Sequence, residues 1–276
     1  MRNCVTPLRD SVADYDLCLD HSRRPKKTSL QARRATVLEH YDAYVPAGGR
    51  AHIVPRSGTW PVQEANWQRA LYEDTYENGR LEDIRGAALQ AAENRCLLCS
   101  VTATGSLDHF LPRESFPALS LFALNLIAAC DECNRTKGTA AHADQERQFV
   151  HPYFDPLPLD VPFLRCMPFA GAVLSPEFSI IPCPGVDADL HARLSWQFDT
   201  LELNKLYSDE AIQLFRGSRH GWRELAEADS GELVTDIGRS LRSEVSEFGC
   251  NRWKPAFLRG LLDHADFLAD PLAYLG

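Results

Sequence analysis

The sequence predicts an α+β fold: a mainly helical chain with a small strand, strand, helix unit in its middle, stapled by four cysteines, and a short additional β element after it. Two Cys-x-x-Cys pairs, Cys96/Cys99 and Cys130/Cys133, with thirty residues between them, predict the staple. Apolar residues stepping by three and four on either side of that stretch predict the helices. Compact, β-prone runs between residues 172 and 182 predict the additional β element.

Residues 1–95 read as a mostly helical region with loops at PKKTS (25–29) and VPAGGR (45–50). From Ser29 onward, Leu30, Val37, Leu38, Tyr41 and Tyr44 fall at helical spacing, and Pro46-Ala47-Gly48-Gly49 stops the helix. Pro61 opens a second helix with Trp67, Leu71 and Tyr72 on one side, and Leu81, Ile84, Ala88 and Leu89 mark a third. Residues 96–140 form the central unit. In residues 141–276, a polar stretch to Gln148 is helix or loop, and four prolines in HPYFDPLPLDVP (151–162) force irregular chain. Two short β runs follow, at 172–175 and 178–182, and Leu194, Trp196 and Phe198 alternate with polar residues as in a half-buried strand. Ser208-Asp209-Glu210 starts a helix; Leu233, Ile237, Leu241, Val245 and Phe248 line another; Phe257, Leu258, Leu261, Leu262 and Phe267 make a last one. There is no internal repeat.

With 276 residues, 45% apolar and 24% charged, the chain is expected to be globular rather than disordered. No apolar run approaches the roughly 20 residues that cross a bilayer, and the first residues lack the pattern of a secretory signal, so the expected compartment is the cytoplasm, away from membranes. Of nine cysteines, Cys4, Cys18, Cys166, Cys183 and Cys250 are scattered singly. That usage suits a reducing compartment, in which a Cys-x-x-Cys pair signals zinc rather than a disulfide. The net charge of −9 argues against a general nucleic-acid coat. A local basic stretch remains at residues 21–34, with six Lys/Arg, as either a path for an anionic substrate or a solvated loop and helix face.

Four thiolates complete the tetrahedron of a Zn²⁺ ion and leave no position for a substrate, so Cys96, Cys99, Cys130 and Cys133 read as a structural site. With both ends of the intervening loop tied to one ion, residues 107–111 and 124–129 can lie side by side as a two-stranded ribbon. A helix beginning near Asp131 then carries Asn134 and Lys137, three residues apart, on one face.

Cys-x2-Cys, Leu-Asp-His-Phe-Leu-Pro (107–112), Asn-Leu (125–126), Cys-x2-Cys-Asn (130–134) and Lys-Gly (137–138) together resemble the HNH, or ββα-metal, endonuclease family over about 45 residues. The wording around Asp108-His109 and Asn125, followed by His151-Pro-Tyr-Phe-Asp, is similar to a bacterial branch of stand-alone HNH proteins, some encoded with anti-phage systems such as Septu and retrons. The resemblance implies DNA phosphodiester hydrolysis leaving 5′-phosphate and 3′-hydroxyl ends. It implies His109 as general base, Asp108 and Asn134 as ligands of a catalytic metal, and Asn125 as the residue that holds the loop and orients His109. Other members carry His where this sequence has Asn134. An Asp/Asn oxygen pair favours Mg²⁺ or Mn²⁺.

Lys137, Arg135 and Arg113 are near enough in sequence to serve the substrate phosphate, and each also has an ordinary surface-charge reading. His151 fits a packed turn better than the active site, and His142 a surface position. Two other functions stay open: a catalytically idle zinc module that binds nucleic acid or protein, and a nuclease acting on RNA or single-stranded DNA. An acidic nuclease without a recognisable sequence reader also implies self-association or an operon-encoded partner, possibly an ATPase.

Overall fold

The first helix begins where Asp10 caps it, its carboxylate accepting from the Val12 and Ala13 N–H groups, and α1 runs Ser11–His21. Helix α2, Lys26–Tyr44, starts four residues after the first helix caps at Ser22, so most of PKKTS is helical rather than loop. The computed structural model describes residues 3–56, 58–140 and 142–276. They divide into two compact units, one ending at Pro156 and the other spanning Leu157–Gly276.

In the first unit, α3 (Val62–Arg69) continues into a 3₁₀ turn, Ala70–Thr75, and α4 covers Glu82–Ala91. Strands β1 (Leu107–His109) and β2 (Leu126–Ala128) pair antiparallel with His109 opposite Leu126 and Asp108 opposite Ile127, and α5 (Asp131–Lys137) follows. The ribbon is shorter than expected because the chain breaks into a 3₁₀ turn at Ala123–Asn125 before β2. Around it lies a core of Leu30, Val37 and Tyr44 from α2, with Leu71, Phe116, Leu119 and Ile127. Tyr41 stacks on Phe122 with ring centroids 4.2 Å apart. Each such buried apolar side chain contributes about 1.5–3 kcal/mol, and this is what fixes the long excursion between the two short strands. The stretch after α5 contains no helix among its described residues; Gln148 closes it by donating to the His142 and Asp144 carbonyls.

The second unit carries the additional β element with a different pairing from the one expected. Residues 172–175 and 178–182 do not form two strands; most of both lie in one, β4 (Val173–Ile180), and the partner is β3 (Leu164–Ala170). Ser175-Pro176-Glu177 stays extended because Asn204 accepts from the Phe178 N–H and Ser208 donates to the Pro176 carbonyl. Leu194, Trp196 and Phe198 lie not in a strand but in helix α6 (Ala188–Thr200), where Leu190, Leu194, Gln197 and Phe198 make one buried face. Three alternating residues cannot separate period 2 from a helix in which 194 and 198 are neighbours.

Helix α7 runs Leu203–Ala228, so Ser208 lies inside it; the true start is set by Glu202, whose left-handed backbone breaks the chain from α6. Helix α8 is Ser230–Phe248 and α9 Trp253–Leu262. Phe267 belongs to a separate short helix, α10 (Ala265–Ala269), capped by His264 Nδ1, and α11 is Leu272–Leu275. Gly260 lets α9 meet β3: a Cβ there would stand 2.5 Å from the Cys166 carbonyl oxygen. Buried Asn251 accepts from the Phe163 and Leu164 N–H groups and donates to the Pro158 and Val161 carbonyls, pinning the proline-rich lead-in to β3. The chain is therefore α+β and mainly helical, and among the described residues no helix is long and apolar enough to cross a membrane.

Candidate active site

The two Cys-x-x-Cys turns are built differently. Around the first, the chain folds back on itself: Cys96 N–H donates to the Thr102 carbonyl, Ser100 N–H to the Cys96 carbonyl, and Leu97 N–H to Ala128 on β2. The second opens α5, with Cys130 as the residue before its first turn. Together they bring four buried sulfurs within 4.8 Å of one another. A tetrahedron with Zn–S bonds of about 2.3 Å has sulfurs roughly 3.8 Å apart, so the cluster has the donor set and the size for zinc. Hydrogen bonds among the thiols push Cys99 and Cys130 down, Cys130 to about 6, and Cys96 and Cys133 up. By contrast, burial lifts the lone thiols Cys18 and Cys166 to about 12, which leaves them inert.

β1 carries Asp108 and His109, both buried. His109 Nε2 lies 2.9 Å from the Ser120 carbonyl oxygen. A carbonyl only accepts, so Nε2 bears the proton and the lone pair sits on Nδ1, which makes no hydrogen bond among the described residues. Burial holds the imidazole down from its ordinary 6.5 to about 4, leaving the ring neutral near pH 7. Tyr72 packs its ring 4.6 Å from that of His109 and donates to the Leu107 carbonyl. Arg85 in turn donates to the Tyr72 hydroxyl and to the Gly105 carbonyl.

Asn125 is fully buried at the end of the excursion. Its Oδ1 accepts from the Leu111 N–H at 2.8 Å and its Nδ2 donates to the carbonyls of Leu111 and Leu119, beside the Ser120 carbonyl that receives His109. Tyr44 on α2 donates to the same Oδ1 at 2.9 Å. His151 completes the chain of bonds: Nδ1 accepts from the Tyr153 N–H, so Nε2 carries the proton and donates to the Tyr44 hydroxyl at 3.0 Å. His151 is thus a fully buried turn residue that supports Asn125 through Tyr44. Tyr44→Phe removes a donor to Asn125 and the acceptor beside His151 Nε2, and is expected to lower stability by about 1–3 kcal/mol, read from the midpoint of urea unfolding. An unchanged midpoint would show that the loop is held without it.

Asp108, His109, Asn134, Arg113, Arg135 and Lys137 line one cleft of about 610 Å³, together with Tyr72, Tyr76 and Arg85; Asn125 lies behind it. Asp108 Oδ1 accepts from the His109 N–H, while Oδ2 is buried with no hydrogen-bond partner among the described residues. Lys137 does not reach outward to a phosphate as expected. It is 2% exposed, its Nζ forming an ion pair with Asp108 Oδ2 at 3.0 Å and donating to the His109 carbonyl at 2.9 Å. The contact lacks the alignment of a hydrogen bond to Oδ2, and burial still pushes the Asp108 carboxyl up, Lys137 offsetting only part of it.

Asn134 is half-buried, and its side chain makes no hydrogen bond among the described residues. Arg135 is exposed and Arg113 half-buried, 3.6 Å from Glu114. Four cations and three carboxylates line the cleft, so this face is net positive in a chain of net charge −9. The basic stretch at 21–34 is partly neutralised, with Arg34 on Asp16, Arg33 on Glu64 and Lys27 on Asp20.

Tyr44, Tyr72 and Arg85 are the members of this site that the sequence does not single out for chemistry, since each joins it through partners distant in sequence. Asp108 Oδ2, held by the ion pair with Lys137 but by no hydrogen bond, and the Asn134 amide, which makes none among the described residues, form on one cleft an oxygen donor set that fits a hard divalent cation.

Over 142 residues the chain is 31% identical to Protein ea31 of Escherichia phage lambda, an alignment covering 44% of this chain and 48% of that protein. Over 104 residues it is 27% identical to Septu protein PtuB of Bacillus thuringiensis, covering 34% of this chain and 40% of that protein. No protein-family model and no solved structure matches it. The chain is thus similar in part to a phage protein and to a Septu protein, and spans less than half the length of each.

Proposed function

We propose that the chain is a metal-dependent HNH endonuclease that hydrolyses DNA phosphodiester bonds, leaving 5′-phosphate and 3′-hydroxyl ends, and that it acts in bacterial anti-phage defence. One observation carries the reading: His109, with its basic Nδ1 unbonded, shares a positively lined cleft with the oxygen donors Asp108 and Asn134, directly on a four-cysteine knot. His109 takes a proton from the attacking water at Nδ1, while its Nε2–H bond to the Ser120 carbonyl fixes tautomer and ring. Asn125 keeps that carbonyl in place by tying down Leu111 and Leu119. Asp108 and Asn134 would hold Mg²⁺ or Mn²⁺, which supplies charge neutralisation at the scissile phosphate and the departing 3′ oxygen when bound. Arg113 and Arg135 hold the non-reacting phosphate oxygens. Zinc on Cys96, Cys99, Cys130 and Cys133 keeps strand and helix together.

Similarity to Septu protein PtuB supports the defence assignment. Self-association or an operon-encoded ATPase partner would restrain an enzyme with no sequence reader of its own. The test is incubation of the purified chain with double-stranded DNA, single-stranded DNA and RNA in Mg²⁺, Mn²⁺ or EDTA. DNA cleavage that EDTA abolishes is expected. Binding without hydrolysis in any divalent ion would instead assign an idle binding module.

A further inference from the structure

The most telling side chain in the cleft is one that points the wrong way for a phosphate ligand. Lys137 sits three residues beyond Asn134 on α5, yet its ammonium is turned inward, 3.0 Å from Asp108 Oδ2 and 2.9 Å from the His109 carbonyl oxygen. At 1% side-chain exposure it has no water to exchange for these partners. It therefore occupies one side of the only carboxylate in the oxygen pair. Oxygen sites bind divalent cations in step with the negative charge of their ligands. Here Asp108 is balanced by Lys137, Asn134 is neutral, and His109 is a neutral imidazole. The rest of the cleft supplies no excess of negative charge, since Arg85, Arg113 and Arg135 outnumber Glu114 and Asp131. A divalent cation entering alone meets a site with no net charge to neutralise and an ammonium beside its carboxylate. A phosphodiester brings the missing anion.

We propose that Lys137 keeps Asp108 charge-compensated in the substrate-free protein, so that the divalent cation loads together with the anionic phosphodiester rather than before it. This rests on the reading of Asp108 and Asn134 as the metal-binding pair. Lys137 is then a positioning residue that acts through Asp108. Because coupling between two binding events is reciprocal, nucleic acid must tighten the cation by the same factor as the cation tightens nucleic acid.

The test measures binding, not turnover. Mn²⁺ is titrated into the zinc-loaded full chain carrying His109→Ala, which blocks hydrolysis, with free Mn²⁺ read by electron paramagnetic resonance. Titrations are run with and without a short single-stranded DNA oligonucleotide, and again with Lys137→Met added. With Lys137 present, DNA is expected to tighten Mn²⁺ by about tenfold or more. Lys137→Met is expected to tighten Mn²⁺ by about tenfold without DNA, and to shrink the effect of DNA. Mn²⁺ affinity unchanged or weakened by Lys137→Met, in protein retaining its zinc and its circular dichroism, overturns the proposal. Should that variant fail to fold, Lys137→Arg keeps the charge and is expected to keep the DNA dependence; its loss there also overturns it. Asp108→Asn separates the two claims. If Asp108→Asn leaves Mn²⁺ binding intact, the metal-binding pair is misassigned; if it abolishes binding while Lys137→Met changes nothing, only the role of Lys137 fails.

Discussion

Replacing His109 with alanine is expected to lower metal-dependent DNA cleavage on the order of 10³-fold, the contribution typical of a positioned general base. The imidazole is the one group in the cleft with an unshared nitrogen lone pair and a fixed tautomer, since its other nitrogen is spent on the Ser120 carbonyl. Loss of that bond costs about 1–2 kcal/mol, so the variant should still melt cooperatively, and free imidazole added to it should restore part of the rate. Cleavage undiminished in His109→Ala would remove His109 from the chemistry.

The same residue makes a pH prediction. Its folded-state pKa lies near 4, below the ordinary 6.5, because burial disfavours the cation. A depressed pKa means that the unfolded chain binds the proton more tightly. The stability that this neutral histidine contributes is therefore complete above pH 6.5 and is lost as pH falls toward 4. Thermal melts across that window should show the loss, and His109→Ala should flatten it.

The second large effect concerns the cysteines. β1 and β2 are three residues each and α5 seven, too short to persist as isolated elements in water. What holds them is the pair of turns converging on four sulfurs and the packing of Phe116, Leu119 and Phe122 over the excursion. Removing zinc with a strong chelator, or replacing Cys96 or Cys133 with serine, is expected to remove about 10 kcal/mol or more of binding free energy that is also folding free energy. Hydrogen exchange should then show lost protection at Leu107–His109 and Leu126–Ala128, with metal content falling from one zinc per chain. Leaving Mg²⁺ and Mn²⁺ out of the zinc-loaded protein should stop cleavage while leaving that protection in place. A Cys96→Ser protein that binds no zinc and keeps its amide protection would show that packing alone suffices.

Much of this is legible before any coordinates. A Cys-x-x-Cys pair puts two sulfurs on one turn whatever surrounds it, because the covalent chain does the positioning. Helices with apolar residues at three and four, such as α2 and α8, likewise announce themselves locally. The sequence misleads where the local signal is too short or is overridden by distant contacts. Leu194, Trp196 and Phe198 gave three residues of alternation inside a helix, and β3 was hidden behind prolines that Asn251 organises from 88 residues away.

By itself, then, the sequence determined the four-sulfur staple, the order Asp108, His109, Asn125, Asn134 around it, and a mainly helical α+β chain. Tertiary structure alone decided what these residues touch. Tyr44 reaches Asn125 across 81 residues and Lys137 reaches the His109 carbonyl across 28. Whether a lysine on a helix faces water or a buried carboxylate depends on which strand its helix packs against. No local pattern encodes that choice: Lys137 looks like a surface cation in the sequence, and in the fold it is the counter-ion of Asp108.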